Sequence, residues 1–246
     1  MPKPSAALAS RHSYGPDASQ FGDLYEGGDR RVAVLIHGGF WRDRFDLTLM
    51  EPLAADLVAR GWTAWNIEYR RLGSGGGVPE TLDDVGAAID HLASLGLDGG
   101  LVVAIGHSAG GHLAAWAAAR EDARVPLTGY VSQAGVLDTK RAFALGLSDS
   151  VAEHFLEASP IERPPSVPGL LVHGERDDIV PLEISEAFAA ASGAELAVFD
   201  EGHFGHLDPA NPMWKAVVEW LAKPRPAGSF RWENRPGGNS PAEEAP

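Results

Sequence analysis

Six short, strand-like runs at regular spacing constrain the fold of this chain most. Four of them are almost continuously apolar, which is typical of strands buried on both faces of a parallel sheet. Successive runs begin 26 to 42 residues apart, the length of a strand–helix–strand unit. The predicted strands are 32–37, 63–69, 101–106, 127–132, 169–173 and 195–199. The sequence therefore predicts an α/β fold with a mostly parallel central sheet flanked by helices.

Helical patterns fill the intervals between these runs. Leucines recur every fourth residue over 49–57, the period of a helix that buries one face. Thr81 begins a Thr-x-x-Asp sequence, which has the form of a capping box. Asn211 precedes Pro212, and this pair predicts an N-cap followed by the first residue of a helix.

The domain organisation predicted from these patterns is simple. Residues 1–222 are expected to form a single α/β domain, and the widest interval between strands carries an extra segment at 139–162, predicted to be a short lid. Residues 223–246 contain five Pro and three Gly without periodicity. This composition predicts a disordered tail.

Charge and composition exclude several classes of partner and chemistry. The chain has 20 Lys and Arg against 34 Asp and Glu, a formal net charge of −14, which disfavours binding to nucleic acid or to an anionic membrane. It has no Cys, so disulfides, thiolate zinc sites and a cysteine nucleophile are excluded. Neither a secretory signal nor a membrane span is recognisable. We expect a soluble, cytoplasmic protein, with the oligomeric state left open, a homodimer included.

A Gly-x-Ser-x-Gly sequence at residues 106–110 (GHSAG) marks the candidate nucleophile. It joins a predicted strand to a helical segment of small residues, and such a turn strains the serine backbone while exposing its hydroxyl. At a helix N-terminus the hydroxyl also lies beside backbone N–H groups that can stabilise an oxyanion. Ser108 is therefore the predicted nucleophile; the alternative is a glycine-rich turn with an incidental serine.

A second glycine-rich loop, residues 37–41 (HGGFW), follows the strand predicted at 32–37. Consecutive glycines let the backbone approach a ligand closely and direct N–H groups into a cleft. The alternative is an ordinary Gly-Gly turn with Phe40 and Trp41 in the core.

The candidate acid and base follow the last two predicted strands. Asp177 comes directly off the turn after strand 169–173, and Asp178 is its rival. After strand 195–199 come His203 and His206, and imidazole is the side chain that titrates near neutral pH. A serine, a carboxylate and a histidine in this chain order match one arrangement of the catalytic triad.

Two other interpretations of the polar residues are weaker. The acids and histidines of 200–208 could surround a metal, but their spacing matches no ligand motif, so we expect neither a metal nor a cofactor. The glycine run 73–77 lacks the residues of a phosphate-binding loop. His107, His112 and His173 are expected to be packing or hydrogen-bonding partners.

With these motifs in order, residues 14–221 resemble the α/β-hydrolase superfamily. Residues 37–41 are similar to the HGGxW element of serine-type arylformamidases (kynurenine formamidases), and residues 106–110 and 202–204 are similar to that family's nucleophile and histidine segments. The same motifs occur in related small carboxylesterases. The resemblance implies the roles of the site residues. By this resemblance, the catalytic triad of the chain would be Ser108, Asp177 and His203. The oxyanion hole would use the N–H groups of Gly39, Phe40 and Ala109.

The resemblance implies a cofactor-free serine hydrolase of small esters or N-formyl arylamides. Trp41 and His107 are expected to line its substrate pocket. Two alternatives remain at this point: a hydrolase-fold binding protein without turnover, and a metal-assisted hydrolase.

Overall fold

The computed structural model describes residues 9–27, 30–147 and 149–223, and its centre is one eight-stranded sheet. The strand order is β1-β2-β4-β3-β5-β6-β7-β8, and every pairing from β4 to β8 across the sheet is parallel. The strands are β1 (Ser10–Ser13), β2 (Phe21–Tyr25), β3 (Arg31–Ile36), β4 (Thr63–Ile67), β5 (Leu101–His107), β6 (Gly129–Gln133), β7 (Gly169–Gly174) and β8 (Glu195–Phe199). The predicted α/β class and mostly parallel sheet are confirmed.

All six predicted strands are present, with ends that differ by up to two residues. The two N-terminal strands, β1 and β2, were not predicted, and they pair antiparallel with each other and with β4. β1 is four polar residues long and largely exposed, so it carries no hydrophobic alternation. An antiparallel hairpin therefore extends one edge of the parallel sheet.

Helices cover both faces of the sheet. One apolar core packs α1 and α6 against one face, and a second packs α2, α3, α5 and the segment 139–162 against the other. The helices are α1 (Glu51–Ala59), α2 (Glu80–Asp90), α3 (Ala109–Ala118), α4 (Thr139–Ala144), α5 (Leu182–Ser192) and α6 (Pro212–Ala222).

One predicted helix start is confirmed and the other is wrong. The Asn211 side chain accepts a hydrogen bond from the Met213 N–H at 2.9 Å and caps α6. Thr81 lies inside α2, where its hydroxyl donates to the carbonyl of Arg70 at 2.7 Å. Thr81 is the second residue of the helix, whose N-cap is Pro79, and its hydroxyl oxygen accepts a hydrogen bond from the Gly77 N–H at 2.9 Å, outside the helix; it therefore does not cap α2.

The segment predicted as a lid is folded onto the domain. It contains α4 and two short 3-10 helices, Val151–Ala158 and Pro160–Glu162, and Phe155 and Ala158 are buried in the core. The Thr139 hydroxyl donates to the carbonyl of Phe155 at 3.0 Å. Of the predicted tail, residues 224–246 lie outside the described residues.

The topology determines where functional loops meet. Because β3, β5, β7 and β8 are parallel, the loops that follow them all leave the same edge of the sheet. These loops carry the glycine-rich segment, Ser108, Asp177 and His203. No helix within the described ranges is long and apolar enough to span a membrane.

Candidate active site

Ser108 occupies a sharp turn between β5 and α3. Its backbone has φ 55° and ψ −118°, a conformation that is strained for any residue with a side chain. The turn requires glycine on both sides: a Cβ on Gly106 would lie 2.0 Å from the Gly110 carbonyl oxygen, and a Cβ on Gly110 would lie 2.0 Å from that of Ile36. The structure thus has the strand–turn–helix geometry that the motif predicted.

The loop 38–41 packs directly against this turn. A Cβ on Gly38 would lie 2.9 Å from the Cβ of Ser108, so only glycine lets the two segments approach this closely. Gly39, Phe40 and Trp41 all have positive φ, at 114°, 52° and 55°. The backbone N–H groups of Gly39, Phe40 and Ala109 donate no hydrogen bond to any group within the described ranges.

A buried ionic cluster at the end of β4 supports this loop, and sequence reasoning missed it. The Glu68 carboxylate lies 3.0 Å from His37 Nε2 and 2.7 Å from an Arg71 guanidinium nitrogen, and it accepts a hydrogen bond from the Leu47 N–H at 3.2 Å. The Tyr69 hydroxyl donates to the His37 carbonyl at 2.7 Å. These partners hold the residue that begins the glycine-rich loop. They lie far from it in sequence and carry no motif.

The structure distinguishes Asp177 from its neighbour. Its Oδ2 lies 2.7 Å from His203 Nδ1 and 3.3 Å from His173 Nε2, and its Oδ1 accepts hydrogen bonds from the N–H groups of Ile179 and Val180 at 2.9 Å each. Burial alone would raise the pKa of this carboxyl, but the hydrogen bonds from His173 and His203 outweigh it, so the pKa lies well below its ordinary value. Asp178 is exposed. Of these two neighbouring carboxylates, Asp177 is the one that contacts a histidine.

The two late histidines have different surroundings. His203 is bonded to Asp177, and its backbone carbonyl accepts a hydrogen bond from His107 Nε2 at 2.9 Å. Both ring nitrogens of His206 are buried without a hydrogen-bond partner in the described structure. Only His203 therefore has the carboxylate partner that a catalytic base needs.

His107 brings the histidine loop beside the nucleophile. It is the residue before Ser108, and its ring centroid lies 4.7 Å from that of His203. No hydrogen bond joins the Ser108 hydroxyl to the His203 ring among the described residues. Such a contact commonly tightens only when substrate binds.

The predicted pocket roles of Trp41 and His107 need correction. Trp41 has no exposed surface; its ring stacks on Phe155 with centroids 4.3 Å apart. His107 is 2% exposed and bonded to the His203 backbone. Both side chains support loops from behind instead of lining an open surface.

The comparisons with known proteins agree with this geometry. An esterase structure from Thermogutta terrifontis, with butyrate bound, superposes with a TM-score of 0.68 at 24% identity, covering 89% of this chain and 93% of that one. Esterase B from Lactobacillus rhamnosis superposes with a TM-score of 0.71 at 19% identity, covering 87% and 85%. The chain has the α/β-hydrolase fold.

Sequence comparison adds two findings about this chain. A family model described as BD-FAE matches residues 24–143. Esterase LipQ of Mycobacterium tuberculosis is 29% identical over 223 residues, covering 76% of this chain and 53% of that protein. The chain spans about half the length of the curated relatives it matches.

The described residues contain no group of three or more His, Asp or Glu side chains arranged to hold a metal ion. Asp200, one of the candidate ligands, instead pairs with Arg176 at 2.8 Å on the surface.

Three of the buried histidines make the folded protein sensitive to acid. Burial lowers the pKa of His107 to about 3 and that of His112 to about 4, and it lowers the pKa of His206 well below its usual value. The unfolded chain therefore binds more protons than the folded protein once the pH falls below about 6.5. The lowered pKa of Asp177 acts in the same direction over a lower pH range, since the stability it contributes above about pH 4 is lost as the pH falls below that.

We expect the free energy of unfolding to fall as the pH drops from about 6.5 towards 4, by up to about 1.4 kcal/mol per pH unit for each of these histidines. Urea unfolding between about pH 7 and pH 5 measures this slope. In the variant His112→Gln, the change in unfolding free energy per pH unit should be smaller by about the contribution of one histidine. A wild-type stability that stays flat over this range would contradict the prediction.

Proposed function

We propose that this protein hydrolyses small carboxylic esters through Ser108, His203 and Asp177. The observation that carries the proposal is the buried Asp177–His203 pair, 2.7 Å apart, beside a serine held at positive φ at a helix N-terminus. Esterase names among the relatives and the solved structures support the same activity.

In the proposed reaction, the Ser108 hydroxyl attacks the ester carbonyl carbon while His203 Nε2 takes its proton. Asp177 accepts the hydrogen bond from Nδ1–H, and it thereby keeps Nε2 free as the base and stabilises the imidazolium that forms. The tetrahedral oxyanion is stabilised by the N–H groups of Gly39, Phe40 and Ala109. The imidazolium then protonates the leaving alcohol, and water attacks the acyl-serine by the same route in reverse.

The surroundings of the site favour a small acyl group. The segment 139–162 is packed against the core, with Phe155 and Ala158 buried, and Phe40 is only partly exposed beside Ser108. Butyrate bound to the Thermogutta terrifontis esterase supports short acyl chains here as well. N-formyl arylamides form a second substrate class, because residues 37–41 resemble the arylformamidase element.

A fluorophosphonate probe combined with a substrate panel tests the proposal. We expect stoichiometric labelling at Ser108, located by peptide mass spectrometry, because only an activated serine reacts. The panel contrasts p-nitrophenyl acetate, butyrate and dodecanoate with N-formylkynurenine, and we expect the acetate and butyrate esters to be cleaved fastest.

Each alternative gives a different result. A binding protein without turnover would cleave no substrate in the panel and would leave the probe unreacted. A metal-assisted hydrolase would cleave esters without labelling of Ser108, and a chelator would abolish its activity.

A further inference from the structure

We propose that His112 is a positioning residue that fastens the oxyanion loop, residues 38–41, to the segment 139–162. This inference rests on the proposed function, because it concerns the loop that would stabilise the oxyanion. His112 lies on α3, one turn after Ser108, and is completely buried. Both of its ring nitrogens make hydrogen bonds, one to each of the two segments.

The first bond holds the strained end of the loop. Trp41 has φ 55°, a conformation that an aromatic residue keeps only when its surroundings enforce it. Its indole N–H donates to His112 Nδ1 at 3.3 Å, and its ring stacks on Phe155 at an interplanar angle of 21°. The Leu72 N–H also donates to the Trp41 carbonyl at 2.8 Å. The fixed indole therefore determines the path of the backbone through Phe40 and Gly39.

The second bond runs from His112 to the segment 139–162. His112 Nε2 lies 2.8 Å from the carbonyl oxygen of Ala158, so Nε2 must carry the proton. Nδ1 is then the free acceptor that the Trp41 N–H requires. One neutral tautomer satisfies both partners, and burial keeps the ring neutral by lowering its pKa to about 4.

The two bonds have a consequence for the reaction. Trp41 is covered by Phe155 and linked through His112 to Ala158, three residues further along the same segment. A shift of residues 155–158 would therefore move Trp41, together with the N–H groups of Gly39 and Phe40 that precede it. The oxyanion develops in the transition state and the tetrahedral intermediate and is absent from the bound ester, so a misplaced loop should lower kcat and leave KM almost unchanged.

A double-mutant cycle tests the inference. Trp41→Phe keeps the ring on Phe155 and removes the N–H; His112→Gln keeps a donor towards Ala158 and removes the acceptor for Trp41. We expect each single variant to lower kcat on p-nitrophenyl acetate by about 10- to 100-fold, with KM within about threefold of wild type. The kcat of the double variant should be at most about threefold lower than that of the poorer single variant, because both changes break the same hydrogen bond between Trp41 and His112.

Matched controls separate this role from general damage. Trp116→Phe changes a partly exposed indole at the other end of α3, and His154→Gln changes an exposed histidine of the segment 139–162; both should keep kcat within about twofold. Each kcat is calculated per mole of natively folded protein, and the folded fraction is measured by near-ultraviolet circular dichroism. If His112→Gln does not fold, Trp41→Phe alone carries the test, because it breaks the same bond from the other partner and should still lower kcat without a matching change in KM.

Two outcomes would overturn the inference: single variants with wild-type kcat, or losses that multiply in the double variant. The wild-type protein and Ser108→Ala accompany every assay. If wild type hydrolyses the ester and Ser108→Ala does not, a failed cycle counts against His112 alone. If wild type is inactive, or Ser108→Ala is as active as wild type, the proposed function itself fails.

Discussion

The variant Ser108→Ala is expected to lower kcat/KM on p-nitrophenyl butyrate by roughly 10⁵-fold or more. The change removes the only hydroxyl positioned at the turn, while Asp177, His203 and the loop N–H groups remain, so a small residual rate above that of water is expected. Ala adopts the same backbone position without a new clash. The loss should therefore occur with little change in the thermal midpoint, and fluorophosphonate labelling should disappear.

A buried serine nearby provides the control for this prediction. Ser132 lies on β6, which pairs with β5, and its hydroxyl has no hydrogen-bond partner among the residues described. Ser132→Ala should keep kcat/KM within about threefold. Activity of Ser108→Ala within about tenfold of wild type would exclude the serine mechanism.

The variant Asp177→Asn is expected to lower kcat by about 10³- to 10⁴-fold. The N–H groups of Ile179 and Val180 both donate to Oδ1, so an asparagine must place its carbonyl oxygen there. Its amide NH₂ then faces His203 Nδ1, which has to become an acceptor. The proton moves to Nε2, and the imidazole can no longer take the proton of Ser108.

Asp178→Asn is the matched control, since Asp178 is adjacent in sequence but exposed. It should leave kcat within about twofold of wild type. Initial rates at saturating ester across the neutral range measure both variants. Equal losses in the two variants, or a loss only in Asp178→Asn, would show that the acid is assigned to the wrong residue.

Much of the architecture could be predicted because it depends on local patterns. Buried parallel strands require apolar runs, and a strand that enters a helix through one tight turn requires glycines at positions 106 and 110, whose added Cβ atoms would meet backbone oxygens at 2.0 Å. The hairpin of β1 and β2 could not be predicted in this way. β1 is polar and four residues long, and only its pairing with β2 makes it a strand.

The choice between neighbouring candidates required the fold. Asp177 and Asp178 are equivalent as residue types after a strand, and so are His203 and His206 in a loop. Asp177 and His203 are 26 positions apart in the chain, yet their side chains lie 2.7 Å apart. His112 and Ala158 are 46 positions apart, and the ring nitrogen of the first lies 2.8 Å from the carbonyl oxygen of the second.

The sequence by itself determined the α/β class, the strands that carry the reactive loops and the serine at the sharp turn. Each of these follows from interactions between residues close together in the chain. The sequence favoured His203 only through a resemblance, and Asp177 through that resemblance and its place directly after a turn; the tertiary structure decided that these two side chains meet, and that Trp41 and His107 support loops from behind. The physical reason is that hydrogen bonds and burial depend on distances across the sheet edge, which sequence spacing does not encode.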